Sequence, residues 1–270
     1  LGTSGSASVY LRASDFRAEN LTFENSFDRN EVETSGTQAV AVYASGDRMY
    51  FKNVRFLGQQ DTLYTHSGTQ YYTNVYIEGD VDFIFGAARI VIEDSVIHSL
   101  DRGSDSNNGY VIAPSTLLTD DYGYLIQNSV FTSDAAPNTV YLGRPWPAGG
   151  NPLAIGSALI RNNELGEHIR LEGWSQMSGL DPLDARLFEY ENFGPGVNEH
   201  EIRRQLTAEE NALWTIENVL NGWNPTEGEE PGEETPGEEE PPVEEKPGEE
   251  TPGEEEPPVE EKPGEETPGE

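Results

Sequence analysis

The sequence predicts an all-β chain wound as a right-handed parallel β-helix, with a short C-terminal helix and a disordered acidic tail. Three observations carry that expectation. A polar Asn, Asp or Ser followed by an alternating run ending in a large apolar residue recurs between residues 20 and 160. Its shortest step is about 20 residues, the length of one solenoid coil with longer steps reading as inserted loops. Helical periodicity is nearly absent before residue 200.

The repeat occurs at Asn20-Leu21-Thr22-Phe23, Asn53-Val54-Arg55-Phe56, Asn74-Val75-Tyr76-Ile77, Asp94-Ser95-Val96-Ile97, Asn128-Ser129-Val130-Phe131 and, weakly, Ser157-Ala158-Leu159-Ile160. The strands it implies are short, rich in β-branched and aromatic residues, and punctuated by Gly, Asn and Asp. A β-sandwich would place hairpin turns every 8–12 residues, and an α/β fold would place amphipathic helices between strands. Neither pattern is present. Near the end, Thr207 with Glu210 three residues on forms a capping box. Ala212-Leu213, Ile216 and Val219-Leu220 then make an apolar stripe that Asn221-Gly222 stops, predicting one helix laid against the solenoid.

From Glu227 the sequence is almost entirely Glu, Pro, Gly and Thr, with PGEETPGEEEPPVEEK repeated from Pro231 and again from Pro247. Such a segment cannot bury enough apolar surface to offset the entropy of ordering it. The expected organisation is a folded domain over 1–226 and a disordered linker over 227–270 that tethers it to further modules or a surface. The net charge of −34 divides into −18 for the tail (20 Glu, 2 Lys) and −16 for the domain (30 acids, 14 bases), whose one lysine is Lys52. A surface this acidic argues against nucleic-acid binding. The chain has no cysteine, so disulfide and thiolate chemistry are excluded, and no apolar run reaches the ~18 residues of a membrane span.

The chemistry concentrates between Gly58 and Gly86, GQQDTLYTHSGTQYYTNVYIEGDVDFIFG. Gln38 and Gln60 are 22 residues apart and Asp61 and Asp82 are 21, both one uninterrupted coil. On a solenoid, such residues stack about 4.8 Å apart along one face. Two carboxylates that close cannot both ionise comfortably, so one pKa must rise, separating an acid from a nucleophile. The spacing is also too short for an inverting glycosidase, which needs ~6.5–9.5 Å. Two glutamine amides beside the pair offer donors for a developing oxyanion. Arg144, in the turn Leu142-Gly143-Arg144-Pro145-Trp146, is the candidate to keep Asp82 charged, and Trp146 offers a flat face to a sugar ring. The competing reading is that these polar residues are a structural ladder inside a β-helix. Five of them converging at coil spacing favours a site.

GQQDTLY, GDVDFIFG and YLGRPW, with TQAVAVYASGDR upstream, resemble the signature regions of the pectinesterase (pectin methylesterase) family. The resemblance extends from AENLTFEN to EGWSQM and GWNP and covers residues 3–224. The absence of cysteine and the segment Ala113-Pro114-Ser115-Thr116 look more like bacterial members than plant ones. The resemblance implies that Asp82 is the nucleophile, that Asp61 is the general acid and then base, that Gln60 stabilises the tetrahedral anion, and that Gln38 contributes there or to substrate binding. It implies that Arg144 holds Asp82, that Trp146, Phe85 and Tyr64 line the substrate cleft, and that no metal or cofactor takes part. The expected protein is a secreted or cell-surface monomer acting on methylated homogalacturonan. The resemblance also implies a first coil that would lie before Leu1. Asp80, Ala87 and Glu93 depart from the usual Thr, Asn and Gln. Two residues before Asp82, Asp80 is expected on the same strand face unless a bend intervenes, and there it could disturb the nucleophile or alter preference for charged neighbours on pectin.

His66, His98, His168 and His200 show no metal-ligand spacing, and Asp101–Gly109 reads as a polar turn rather than a calcium loop. No Gly-x-Ser-x-Gly elbow is present, which argues against a serine esterase. The rival functions are a non-catalytic polysaccharide-binding β-helix and a β-helix lyase or hydrolase.

Overall fold

The structure is a computed structural model that describes residues 2–31 and 36–227; the acidic repeat expected to be a disordered linker lies outside the described residues beyond Glu227. The chain winds in successive coils. The first contributes β1 (Val9–Leu11) and β2 (Arg17–Glu24), the second β3 (Val42–Ala44) and β4 (Met49–Leu57). The third contributes β5 (Leu63–Thr65), β6 (Thr69–Thr73) and β7 (Tyr76–Gly79), and the fourth β8 (Val81–Gly86), β9 (Arg89–Glu93) and β10 (Val96–Ser99). Next come β11 (Gly109–Pro114), β12 (Tyr124–Gln127) and β13 (Val130–Ser133), then β14 (Val140–Gly143), β15 (Ser157–Arg161) and β16 (Glu164–Leu165), and finally β17 (Arg186–Tyr190). One sheet runs β1-β3-β5-β8-β11-β14, and a second, curved sheet takes the rest in the order β16-β13-β10-β7-β4-β6-β9-β12-β15-β17, with β2 on β4. Neighbouring strands pair in parallel, as a parallel β-helix requires.

The repeated Asn or Asp marks the corner at which each coil turns. Asn20, Asn53, Asn74, Asp94, Asn128 and Asn162 all have φ between 51° and 56°, the left-handed region that Asn and Asp tolerate best among residues with a side chain. Three residues after each corner, an apolar side chain points inward. Phe23, Phe56, Ile77, Ile97, Phe131 and Leu165 follow one another in register through the core. The last member corrects the sequence reading: Ser157-Ala158-Leu159-Ile160 is strand β15, which pairs with β12 and β17. The corner after Asn128 is Asn162. The alternating pattern of a buried strand imitated the corner motif because both put a small polar residue ahead of apolar ones.

The C-terminal segment also departs from expectation. Thr207 and Glu210 form the predicted capping box, but the helix ends after one turn, α1 (Ala208–Asn211). Thr215 then caps a second single turn, α2 (Ile216–Val219), by accepting from the Asn218 backbone N–H at 3.0 Å. The break leaves Leu213 exposed and turns Trp214, Val219 and Leu220 onto Tyr50, Tyr71, Val91, Leu125 and Leu159 of the curved sheet. A continuous helix would have had to spend that face on Leu213. Among the described residues no helix is long and apolar enough to cross a membrane.

Candidate active site

The first sheet presents the site on its outer face. Val42, Leu63, Ile84 and Ile112 point inward and are fully buried, so their neighbours in sequence point outward. Tyr43, Tyr64 and Phe85 therefore follow one another at coil spacing. The Tyr64 and Phe85 rings stack at 4.3 Å, Tyr43 meets Tyr64 edge-on at 4.8 Å, and Trp146 packs against Phe85 at 5.6 Å. All three predicted cleft residues, Tyr64, Phe85 and Trp146, lie in this one aromatic patch. Tyr43 was missed, although its own 21-residue step to Tyr64 was readable. Burial pushes the Tyr64 hydroxyl up to about 12, so it stays a neutral hydroxyl.

The register that pairs Leu63 with Ile84 carries Asp61 alongside Asp82 two residues earlier, and the Asp61 N–H donates to Val81 O at 3.0 Å. Both aspartates are left-handed, with φ 66° and 51°, and both are buried, 5% and 6% exposed. At Asp82 the ladder slips: Val81 pairs with Tyr110 but Ile84 with Ile112, so β8 carries one extra residue. A bulge of this kind re-aims a side chain and breaks the alternation of the strand. This is the bend on which the expectation for Asp80 was conditioned. Asp80 does not share a face with Asp82; it is buried in an ion pair with Arg29 and accepts from the Val81 N–H at 2.6 Å. The site keeps two carboxylates rather than three. Gly109 allows the close approach, since with φ 148° a side chain there would collide with the Asp80 carbonyl.

Arg144 arrives from two strands away. Its backbone N–H extends the sheet onto Ile112 O at 3.0 Å, and its side chain crosses β11 to reach Asp82. Nε donates to Oδ1 at 2.8 Å and Nη2 to Oδ2 at 2.7 Å, a bidentate pair. Under it lies Tyr110, with the guanidinium carbon 3.7 Å from the ring centroid, and Tyr110 in turn stacks on Tyr141 at 5.2 Å and 8°. A cation over an aromatic face is attracted by the ring quadrupole, so the ladder beneath holds the guanidinium plane in line with Asp82. Nothing in the sequence marked Tyr110 for this role.

Asp61 has no guanidinium of its own. Burial pushes its carboxyl up to about 7, helped by the neighbouring Asp82 and opposed by a hydrogen bond from Thr3 and by Arg144 and Gln60. The Thr3 hydroxyl donates to Asp61 Oδ2 at 2.8 Å. Gln38 and Gln60 form a parallel bridge one coil apart, as their spacing predicted, and the Thr37 hydroxyl donates to Gln60 Oε1 at 2.6 Å. The structure thus brings together Gln38, Gln60, Asp61, Asp82 and Arg144. It adds Thr3, Thr37 and Tyr110, of which the two threonines leave no periodic trace in the sequence.

Of the residues set aside in the sequence, His66 joins the border of the aromatic patch, stacking on Tyr43 at 5.0 Å and meeting Tyr64 edge-on at 5.3 Å, while the others stay away from the aspartates. His98 is tied to Thr132 and Asp134 on the second sheet, and burial pushes His168 down to about 4, leaving it a neutral packing group. In the Asp101–Gly109 turn, the Asn108 side chain accepts from the N–H groups of Arg102 and Ser104 and donates to Ser104 O and Thr139 Oγ1.

Comparison with known proteins places the chain in a family. Residues 2–221 match the Pectinesterase family. Pectinesterase A of Dickeya dadantii is 38% identical over 83% of this chain and 70% of its own length. A crystal structure of a pectin methylesterase in complex with a hexasaccharide superposes with a TM-score of 0.79, at 36% identity over 83% of this chain and 75% of that one. Pectin methylesterase from Yersinia enterocolitica gives 0.78 at 37% identity, over 82% and 79%. With the family match over residues 2–221, this extent of similarity and the shared fold in agreement, the chain belongs to the pectinesterase family.

Proposed function

We propose that this pectinesterase demethylates homogalacturonan through a covalent intermediate on Asp82, with Asp61 shuttling the proton and Gln60 and Gln38 receiving the oxyanion. The observation that carries the assignment is the asymmetry of the two carboxylates. Asp82 faces a bidentate guanidinium, the pairing of a carboxylate anion. Asp61 is buried with a pKa raised to about 7 and so holds a proton at neutral pH and below. Environments that push two carboxyls apart assign the nucleophile and the acid.

In the first step an oxygen of Asp82 attacks the ester carbonyl carbon, and charge moves to the carbonyl oxygen. Gln60 and Gln38 supply amide donors for it. The bond to the methoxy oxygen then breaks, and that oxygen takes the Asp61 proton to leave as methanol. An anhydride joins Asp82 to the galacturonate. Asp61, now a carboxylate, accepts a proton from water as the water oxygen adds to the galacturonate carbonyl. The bond to Asp82 breaks, returning its carboxylate to Arg144 and freeing the acid product. The aromatic patch of Tyr64, Phe85 and Trp146 offers faces on which sugar rings stack.

Arg144→Gln tests the arrangement by keeping a planar amide while removing the charge. Methanol release from highly methylated pectin is expected to fall about 100-fold in kcat with little change in KM. A parental kcat would remove Arg144 from the mechanism.

The acidic domain bears on substrate choice. De-esterified pectin is a polyanion and is repelled by a domain of net charge −16, whereas highly methylated pectin is nearly neutral. Turnover at low salt should favour high methylation, and turnover on low-methyl pectin should rise as added salt screens the repulsion. A fall with salt would refute this. Pectinesterases typically act extracellularly, and we place this one in the secreted or cell-surface pool as a monomer.

A further inference from the structure

We propose that Asn107 is a positioning residue that acts on Asp82 at one remove, by fixing the Tyr110 ring on which the Arg144 guanidinium rests; the inference rests on the reading of Arg144 as the residue that holds Asp82. The pull of an aromatic ring on a cation is exerted over its face and not at its edge. Tyr110 therefore aligns Arg144 only while its own ring is held. Stacking on Tyr141 sets the tilt of that ring. It does not set its position, because offset aromatic pairs are comfortable at centroid separations of roughly 4.5–7 Å. Something else must stop the ring from sliding.

The turn before β11 supplies that restraint. Asn107 Nδ2 donates to the Tyr110 hydroxyl oxygen at 2.9 Å. The backbone N–H of Gly109, which can only donate, meets Asn107 Oδ1 at 3.0 Å. The oxygen end of the amide is thereby taken, and Nδ2 is the end turned to the phenol. Asn107 is itself anchored, since its backbone N–H donates to Ser104 Oγ at 3.0 Å. The same turn grips the far end of the stack. Ser106 O accepts from Arg170 Nη1, and the Arg170 guanidinium carbon lies 4.8 Å from the Tyr141 ring centroid. Arg144, Tyr110, Tyr141 and Arg170 thus form one stack, held by successive residues of one turn. The bidentate pair on Asp82 passes the alignment on to the carboxylate. Displacing a reacting group by about 1 Å can cost up to 100-fold in rate, so a turn that contributes no atom to the reaction still bears on it.

The test measures methanol release from highly methylated pectin by Tyr110→Phe, which keeps the ring and loses the hydroxyl, by Asn107→Ala, and by the two combined. Each single variant is expected to lower kcat about five-fold at unchanged KM, the worth of one neutral hydrogen bond. The double variant should fall no further than either, and neither substitution should add to the loss in an Arg144→Gln background. Tyr110→Phe leaves the contacts of Asn107 with Gly109 and Ser104 in place, so it decides the question if Asn107→Ala does not fold. Losses that multiply in the double variant, a change in KM alone, or a further loss in the Arg144→Gln background would overturn the inference. Parental kcat in either single variant alongside a slow Arg144→Gln would overturn it while leaving the role of Arg144 intact. Parental kcat in Arg144→Gln would instead bring down the reading of Arg144 itself.

Discussion

Asp82→Asn and Asp82→Ala are expected to lose methanol release by about 10⁴-fold or more while still binding pectin, because removing the atom that forms the intermediate leaves only the surrounding binding and oxyanion groups. The asparagine variant is the cleaner of the two. Asp82 is left-handed at φ 51°, a conformation Asn accepts, whereas Ala there costs roughly 1–2 kcal/mol. Asn also fills the space against Arg144, though it cannot accept the bidentate pair, so the guanidinium keeps only part of its compensation for burial. Circular dichroism and thermal melting separate loss of chemistry from loss of fold. Substantial methanol release from folded Asp82→Asn would end the nucleophile assignment. If Asp61→Asn lost all turnover while Asp82→Asn kept it, the two roles would have to be exchanged.

The second large effect is on pH. With the Asp61 carboxyl raised to about 7 by burial and by the charge of Asp82, the acid form needed for methanol to depart is present below that pH and lost above it. The kcat/KM for highly methylated pectin should therefore fall above about pH 7, one decade per pH unit. Asp61→Asn should show a low, flat profile across the same range. A parental profile still rising at pH 9 would show that Asp61 does not supply the proton. Stability follows the same ionisation with a definite sign. A group whose folded pKa exceeds its unfolded value contributes stability below the unfolded value, here 3.8, and loses it as pH rises through about 7. A rise of this size corresponds to about 4 kcal/mol. Asp61→Asn should accordingly gain on the parent in denaturant melts between pH 4 and pH 7 and hold that advantage above it. No widening of the gap across this window would mean that the carboxyl is not held neutral by burial.

The coil period was legible because it is a property of backbone geometry. Each turn of the solenoid needs a residue that tolerates left-handed φ, and Asn53, Asn74 and Asp94 supply it at steps of about 20 with an apolar residue three positions on. The same periodicity put Gln38 beside Gln60 and Asp61 beside Asp82. Where periodicity was ambiguous the reading slipped. Ser157 imitated the corner that belongs to Asn162, and one apolar stripe stood for two capped turns, because a cap at Thr215 is decided by what Trp214 finds to pack against.

By itself, then, the sequence determined the parallel β-helix and the coil spacing that sets Asp61 beside Asp82 and Gln38 beside Gln60. It could do so because each of these is set by spacing along one strand direction. Which aspartate meets the guanidinium, which one burial pushes up, and how the third carboxylate is kept away were decided only in the tertiary structure. A bulge at Asp82 breaks the alternation that would have added Asp80, and Arg29 takes that charge instead. Arg144 spans a whole strand over Tyr110 to reach Asp82, while Thr3 and Thr37 come from separate coils to Asp61 and Gln60. Burial, reach across strands and hydrogen-bond direction depend on what is near in space, and spacing along a chain does not encode them.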